Sequence, residues 1–126
     1  MTSANCYCGS DKPFDLCCNL YISGIQQPPT ALALMKSRYS AYATHQADYL
    51  LTTTHNSERK LYFKEEILHW ATANKWQKLV IISSTQNTVE FKAYFRDEKN
   101  INQVHHEFST FKQENGNWFY VDGKFK

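Results

Sequence analysis

Val89-Glu90-Phe91-Lys92-Ala93-Tyr94-Phe95-Arg96 is the stretch that decides the fold. Val89, Phe91, Ala93 and Phe95 alternate with Glu90, Lys92, Tyr94 and Arg96. A two-residue period puts one set toward a core and the other toward water, the pattern of a half-exposed β-strand. The pattern continues on both sides. Downstream, a polar connection from Asp97 to Asn102 leads to a strand at Val104 to Lys112. Glu114-Asn115-Gly116-Asn117 then carries Asn-Gly, the strongest short hairpin signal. Trp118 to Val121 is a last strand, closed by Asp122-Gly123. Upstream, Trp76 to Thr85 contains Leu79-Val80-Ile81-Ile82, which reads as a buried strand.

Before Trp76 the period is 3.6. Thr30 follows Pro28-Pro29 and is a good N-cap. Leu32, Met35, Tyr39 and Tyr42 recur at helical spacing and predict an amphipathic helix over 30–43. Ala47, Leu50 and Leu51 predict a shorter inward-facing helix over 46–53. Asn56 or Ser57 is expected to cap a third helix, with Phe63, Ile67, Trp70 and Ala71 as its buried stripe and Asn74 at its end. Helices first and an antiparallel meander after them define an α+β class, with a curved sheet wrapping the helices.

All four cysteines precede this domain, as Cys6-x-Cys8 and, eight residues on, Cys17-Cys18. Two close pairs about a turn-rich segment suit one tetrahedral ion held by four thiolates at about 2.3 Å. Zinc is the first choice, although four thiolates also suit mononuclear iron. Disulfides Cys6–Cys17 with Cys8–Cys18 are the alternative for an exported protein. Met1-Thr2-Ser3-Ala4-Asn5 has neither the basic nor the apolar region of a signal, so a reducing, cytoplasmic setting is expected. The knuckle, residues 1–21, has a small core of its own in Phe14, Leu16 and Leu20. A structural zinc contributes about 10–16 kcal/mol in small peptides and would hold it together. Residues 22–29, with Gly24 and two prolines, read as a linker, and residues 30–126 as the main domain.

The 126 residues are 42% hydrophobic and 15% aromatic, enough for one core rich in Tyr and Phe. A net charge of +2 with scattered Lys and Arg argues against a nucleic-acid partner. No apolar run reaches the roughly 18 residues of a membrane span. No Gly-x-Ser-x-Gly elbow and no glycine-rich phosphate loop is present.

The cysteine stretch resembles the SEC-C motif, a zinc knuckle of pattern C-x-C-x8-C-[CH]. Gly9, Ser10 and Lys12 match its usual C-x-C-G-S-G-K run. Asp11 replaces a glycine, and Asn19 follows the second pair where glycine is common. Asp and Asn tolerate positive φ, so the turn is expected to survive both. The resemblance implies a protein-docking tip, since such tails contact an export chaperone and the ribosome. Residues 28–123 resemble the YchJ-type family of small bacterial proteins. The carrying residues are Pro29-Thr30-Ala31, Ser37-Arg38-Tyr39-Ser40-Ala41-Tyr42, Asp48-Tyr49-Leu50-Leu51, His55, His106-Glu107, Ser109, Phe111 and Gly116-Asn117-Trp118-Phe119-Tyr120-Val121-Asp122-Gly123. That resemblance implies a nuclear-transport-factor-two-like cone, with helices packed in a curved antiparallel sheet and a pocket between them.

On the third strand His105, Glu107, Ser109 and Phe111 share one face. If Phe111 is buried, Glu107 is too, and a buried carboxylate needs a partner. Arg38 is the expected one, with Ser109 or Tyr42 hydrogen-bonded nearby. The pocket candidates are therefore Arg38, Tyr39, Tyr42, Glu107, Ser109 and Trp118. Glu107 reads first as half of an internal ion pair and second as a general acid or base. His55 and His106 lack ligand spacing and read as ordinary hydrogen-bonded groups. Two functions follow. One is a non-catalytic module docking its knuckle on a protein partner; the other is a small-molecule binder or a lyase- or isomerase-type enzyme with its pocket in the cone. A homodimer through the open sheet face is a third use of the fold.

Overall fold

Thr30 sits in extended backbone, and its side chain accepts a hydrogen bond from the Ala33 N–H at 3.0 Å. That cap starts the longest helix of the computed structural model, which describes residues 5–126; residues 1–4 of the expected knuckle lie outside it. The described chain runs through α1 (Cys18–Ile22), α2 (Ala31–Ala43), α3 (Ala47–Thr52) and α4 (Lys64–Ala73). It continues as β1 (Lys75–Ser84), β2 (Thr88–Arg96), β3 (Asn102–Glu114) and β4 (Asn117–Phe125). The strands form one antiparallel sheet in the order β1-β2-β3-β4. The α+β cone expected from the change of period is present. Among the described residues, no helix is long and apolar enough to cross a membrane.

β2 behaves as its alternation demands, with Val89, Phe91, Ala93 and Phe95 buried. Val89, Phe91 and Ala93 meet Leu34, Met35 and Tyr39 of α2 and Phe111 of β3 in one core, and Phe95 packs against Trp70 and Trp76. The hairpin joining β3 to β4 places Asn115 at φ 54° and Gly116 at φ 81°, the left-handed pair of a type I′ turn.

Three expectations are corrected. Helix α2 is not amphipathic: Ser37, Arg38, Ser40 and Ala41 are buried along with Leu34, Met35 and Tyr39. Other elements cover it all round, and its small hydroxyls are satisfied locally. Ser37 Oγ donates to the Leu34 carbonyl at 2.8 Å and lies 2.7 Å from Tyr49 Oη. The third long helix does not start at Asn56 or Ser57. The His55 N–H bonds the Tyr120 carbonyl at 2.7 Å, and Arg59 donates to the Thr52 and Thr54 carbonyls, each at 2.9 Å. The segment is thus tied to β4 as a loop, and α4 starts only at Lys64. Of its stripe Ala71 is buried, Ile67 is half-buried, and Phe63 and Trp70 are exposed. Lastly, the run Leu79-Val80-Ile81-Ile82 is not a buried strand. Leu79 is buried, but Val80, opposite Lys92, is exposed on the sheet face turned away from the helices, and Ile82, at a register shift, is exposed as well.

The far end of the sheet places the site. β4 carries a bulge opposite Thr110 and Phe111, at which Val121 has no partner. Before it Tyr120 pairs with Phe111; after it Gly123 pairs with Ser109 and Phe125 with Glu107. The extra residue changes which β4 side chains face the helices.

Candidate functional site

The knuckle folds around its sulfurs. Asn5 bridges to Pro13, and the Cys6 N–H bonds the Lys12 carbonyl at 2.8 Å. Gly9 turns the chain at φ 94°, where a side chain would be strained. A 3-10 turn over Phe14–Leu16 then delivers Cys17 and Cys18. Asp11 and Asn19, the departures from the motif, are not at positive φ. Asn19 lies in α1 and donates to Asp15 Oδ1 at 3.0 Å. The expected apolar core is also corrected. Leu16 is 63% exposed, and Phe14 packs against the cysteines and edge-on against Tyr7. The thiols themselves fill the centre.

Cys6, Cys8, Cys17 and Cys18 bring their sulfurs within 4.8 Å of one another, and none is bridged. Four thiolates about 2.3 Å from one ion would be about 3.8 Å apart. Cys8 Sγ and Cys17 Sγ lie 3.7 Å apart. A surrounding shell is present as well: Ser10 Oγ donates to Cys17 Sγ at 3.2 Å, and Ser40 Oγ of α2 lies 3.6 Å from Cys6 Sγ. Hydrogen bonding from Cys18 draws the Cys8 thiol down to about 4, while the same contact pushes Cys18 up; burial raises Cys17. The contact thus favours a thiolate at Cys8 at the expense of Cys17 and Cys18, and a cation is what would let neighbouring thiols ionise together. The donor set fits a metal ion, whose contribution there is to cross-link the knuckle.

The second feature is a cavity of about 350 Å³ between α2, α4 and the concave sheet face. Arg38, Tyr39, Tyr42 and Glu107 line it, as do His105, Tyr120 and Trp70. Trp118 does not. It is buried in the core, and its Nε1 donates to the Pro29 carbonyl at 3.3 Å. Ser109 is fully buried beneath the wall and reaches the site through Glu107.

The expected Arg38–Glu107 ion pair is absent among the described residues. Arg38 Nη1 donates instead to the Leu50 carbonyl at 2.9 Å and to Thr53 Oγ1 at 2.7 Å, with Thr54 Oγ1 at 3.5 Å. Tyr120 takes the place of the salt bridge. Its ring lies under the guanidinium, 4.5 Å from centroid to Cζ, and its hydroxyl donates to Glu107 Oε2 at 3.1 Å. Ser109 Oγ donates to the same oxygen, so of the two expected partners Ser109 is the one present; Tyr42 makes no hydrogen bond to Glu107.

The remaining partner is His105, whose Nε2 lies 2.8 Å from Glu107 Oε1. Burial pushes the Glu107 carboxyl up, but hydrogen bonds from His105, Ser109 and Tyr120 outweigh it and hold the group below the usual carboxylate range. Burial, and next the Glu107 charge, push the Tyr120 phenol up, so it stays a donor. An ionised carboxylate only accepts, so His105 Nε2 carries the hydrogen of this contact. A carboxylate-oriented imidazole on a cavity wall has the form of a general base. His105 was placed on the Glu107 face by its spacing; the i, i+2 pairing on one strand was the signal for its role. His55 and His106 lie elsewhere, hydrogen-bonded to Glu114 at 2.6 Å and to Glu90 at 2.8 Å.

A curved four-stranded sheet packed on helices, preceded by a four-cysteine cluster compatible with metal binding, defines a cone-domain protein with a SEC-C motif. The chain belongs to the YchJ family: the family model described as "YchJ, middle NTF2-like domain" matches residues 30–123. A UPF0225 protein of Geobacter sulfurreducens is 33% identical over 125 residues, covering 94% of this chain and 77% of that one. A UPF0225 protein of Enterobacter sp. strain 638 is 37% identical over 124 residues, covering 94% and 81%. The solution structure of a SEC-C motif containing protein from Rhodopseudomonas palustris matches with a TM-score of 0.88 at 34% identity, over 96% of this chain and 98% of that one. The crystal structure of a SEC-C motif containing protein from Psychrobacter arcticus gives 0.80 at 26% identity, over 100% and 84%.

Proposed function

We propose that this chain is a cytoplasmic zinc protein whose knuckle is a non-catalytic docking module for a macromolecular partner, by analogy with SEC-C tails a ribosome or a chaperone. The observation that carries this reading is the set of four sulfurs within 4.8 Å of one another. Four protein thiolates leave an ion no open position, which is the mark of a structural site rather than a catalytic one. The knuckle is supported on one side, where Cys6 meets Ser40 of α2, and presents Tyr7 and Leu16 on its surface, 50% and 63% exposed. A surface frozen by a metal binds with little further loss of conformational entropy.

Metal analysis of reduced, freshly purified protein should give one zinc per chain, lost in Cys8→Ser and Cys17→Ser. Leu16→Asp keeps all four ligands and changes only the presented surface. It should retain zinc and lose the partner recovered with the wild-type chain on ribosome and chaperone pull-downs. Iron instead of zinc would overturn the metal assignment; partner binding untouched by both kinds of variant would overturn the docking role.

The cavity favours a second reading, in which the cone binds a small molecule and uses His105 and Glu107 for lyase- or isomerase-type proton transfer. Its support is the 2.8 Å contact between the two on the wall of a chamber large enough for a ligand. A thermal-shift screen of the folded, metal-loaded chain against small metabolites tests it. A flat response across the screen would remove it.

A further inference from the structure

Arg38 is only 6% exposed, yet among the described residues Nη1 alone of its guanidinium finds acceptors. No fully buried side-chain nitrogen or oxygen among the described residues lacks a partner. Nε and Nη2 therefore open on the cavity that Arg38 lines. Among the described residues no carboxylate contacts the guanidinium, since Glu107 is bonded to His105, Ser109 and Tyr120. A buried guanidinium with neutral acceptors on one edge and none on the other is an anion site short of its anion. The free edge of the fork matches a carboxylate, which it grips through two parallel hydrogen bonds.

The rest of the cavity restricts what the carboxylate is attached to. About 350 Å³ is near the lower limit of ligand pockets. Tyr42, Trp70 and Trp76 supply aromatic walls, and Trp76 is packed edge-on or tilted against its aromatic neighbours. Such walls favour a flat apolar body. The ionised Glu107 disfavours a second negative group on the ligand. Building on the small-molecule reading of the cone, we propose that the cavity binds a small monocarboxylate with a single-ring apolar body, its carboxylate held by Nε and Nη2 of Arg38 and its ring against the wall that Tyr42, Trp70 and Trp76 form together.

The test titrates the full, zinc-loaded chain with three probes of one shape: phenylacetate, phenylacetamide and phenethylamine. The indole N–H signals of Trp70 and Trp76 and the Nε–H signal of Arg38 are followed by NMR. Phenylacetate should shift all three saturably; the amide should bind at least tenfold more weakly and the amine not at all. Ala93→Leu, which puts bulk into the cavity from β2, should weaken phenylacetate at least tenfold in a folded protein. Arg38→Gln should abolish the preference for acid over amide. If that variant does not fold, the probe comparison and Ala93→Leu still decide. Equal binding of acid and amide, or a preference for the amine, would overturn the carboxylate assignment and leave the cone a small-molecule site. No shift at these signals with any probe up to 10 mM, together with a flat metabolite screen, would overturn the small-molecule reading as well.

Discussion

Gly123→Ala is expected to be strongly destabilising, although Gly123 lies in a strand with an ordinary backbone. Replacing a strand glycine with alanine normally stabilises by a few tenths to about 1 kcal/mol. Here an added Cβ would overlap the Glu107 carboxylate and lie 2.8 Å from its Cγ. Glu107 can yield only by moving Oε2 away from Ser109 and Tyr120. Hydrogen bonds to a charged group are worth about 1.5–3 kcal/mol each, so losing both bounds the cost at roughly 3–6 kcal/mol. Water entering from the cavity recovers part of this, which leaves about 3 kcal/mol. For a domain of this size that is a fall in Tm of roughly 10 °C. Urea denaturation of the single variants and of the Glu107→Ala/Gly123→Ala double variant gives the decisive number. With the carboxylate gone, the alanine should cost less than about 1 kcal/mol, a coupling of at least about 2 kcal/mol. A Tm within 2 °C of wild type for Gly123→Ala, or strict additivity in the double variant, would refute the packing of Glu107 on Gly123.

The same carboxylate gives a pH dependence. Glu107 is more acidic folded than unfolded, so the folded state binds fewer protons. Its stabilisation is complete above the ordinary carboxylate range near 4.5 and is lost as pH falls through the lower folded value. Glu107→Gln should therefore be less stable at pH 7 yet show a shallower loss of Tm between pH 5 and pH 3; superimposable acid limbs would contradict this. Thr30→Ala removes the cap of α2 and should cost about 1 kcal/mol by urea midpoint, a loss under about 0.3 kcal/mol meaning that the 3.0 Å bond to Ala33 does not hold the helix start.

The meander was legible wherever one face of a strand is wet and the other dry. Val89 to Phe95 states both faces in its own letters, and Asn115-Gly116 states its turn. Leu79 to Ile82 misled because an apolar run carries no sign of which sheet face is covered; that follows from where the helices pack, which is set by the whole fold. In α2 the polar letters Ser37 and Ser40 look like a solvent face, and only the surrounding elements make them interior. The cysteine cluster could be read because four thiols in thirteen positions have few other uses. The carboxylate network could not. Charge type alone pairs Arg38 with Glu107, but the hairpin register sets Tyr120 between them, and the bulge at Val121 brings Gly123, rather than Asp122, beneath the carboxylate. Gly123 therefore reads as a turn residue in sequence and acts in the fold as clearance for Glu107.

Helix α2 serves two neighbourhoods at once. Ser40 touches Cys6 of the cysteine cluster, and two residues earlier Arg38 lines the cone cavity. A metal seated on one flank and a guest on the other would press on a common strut about half a turn apart. Linkage is reciprocal, so whatever the guest does to the grip on the ion, the ion does to the grip on the guest by the same factor. In a chain this short, the metal site and the cavity would be one thermodynamic object.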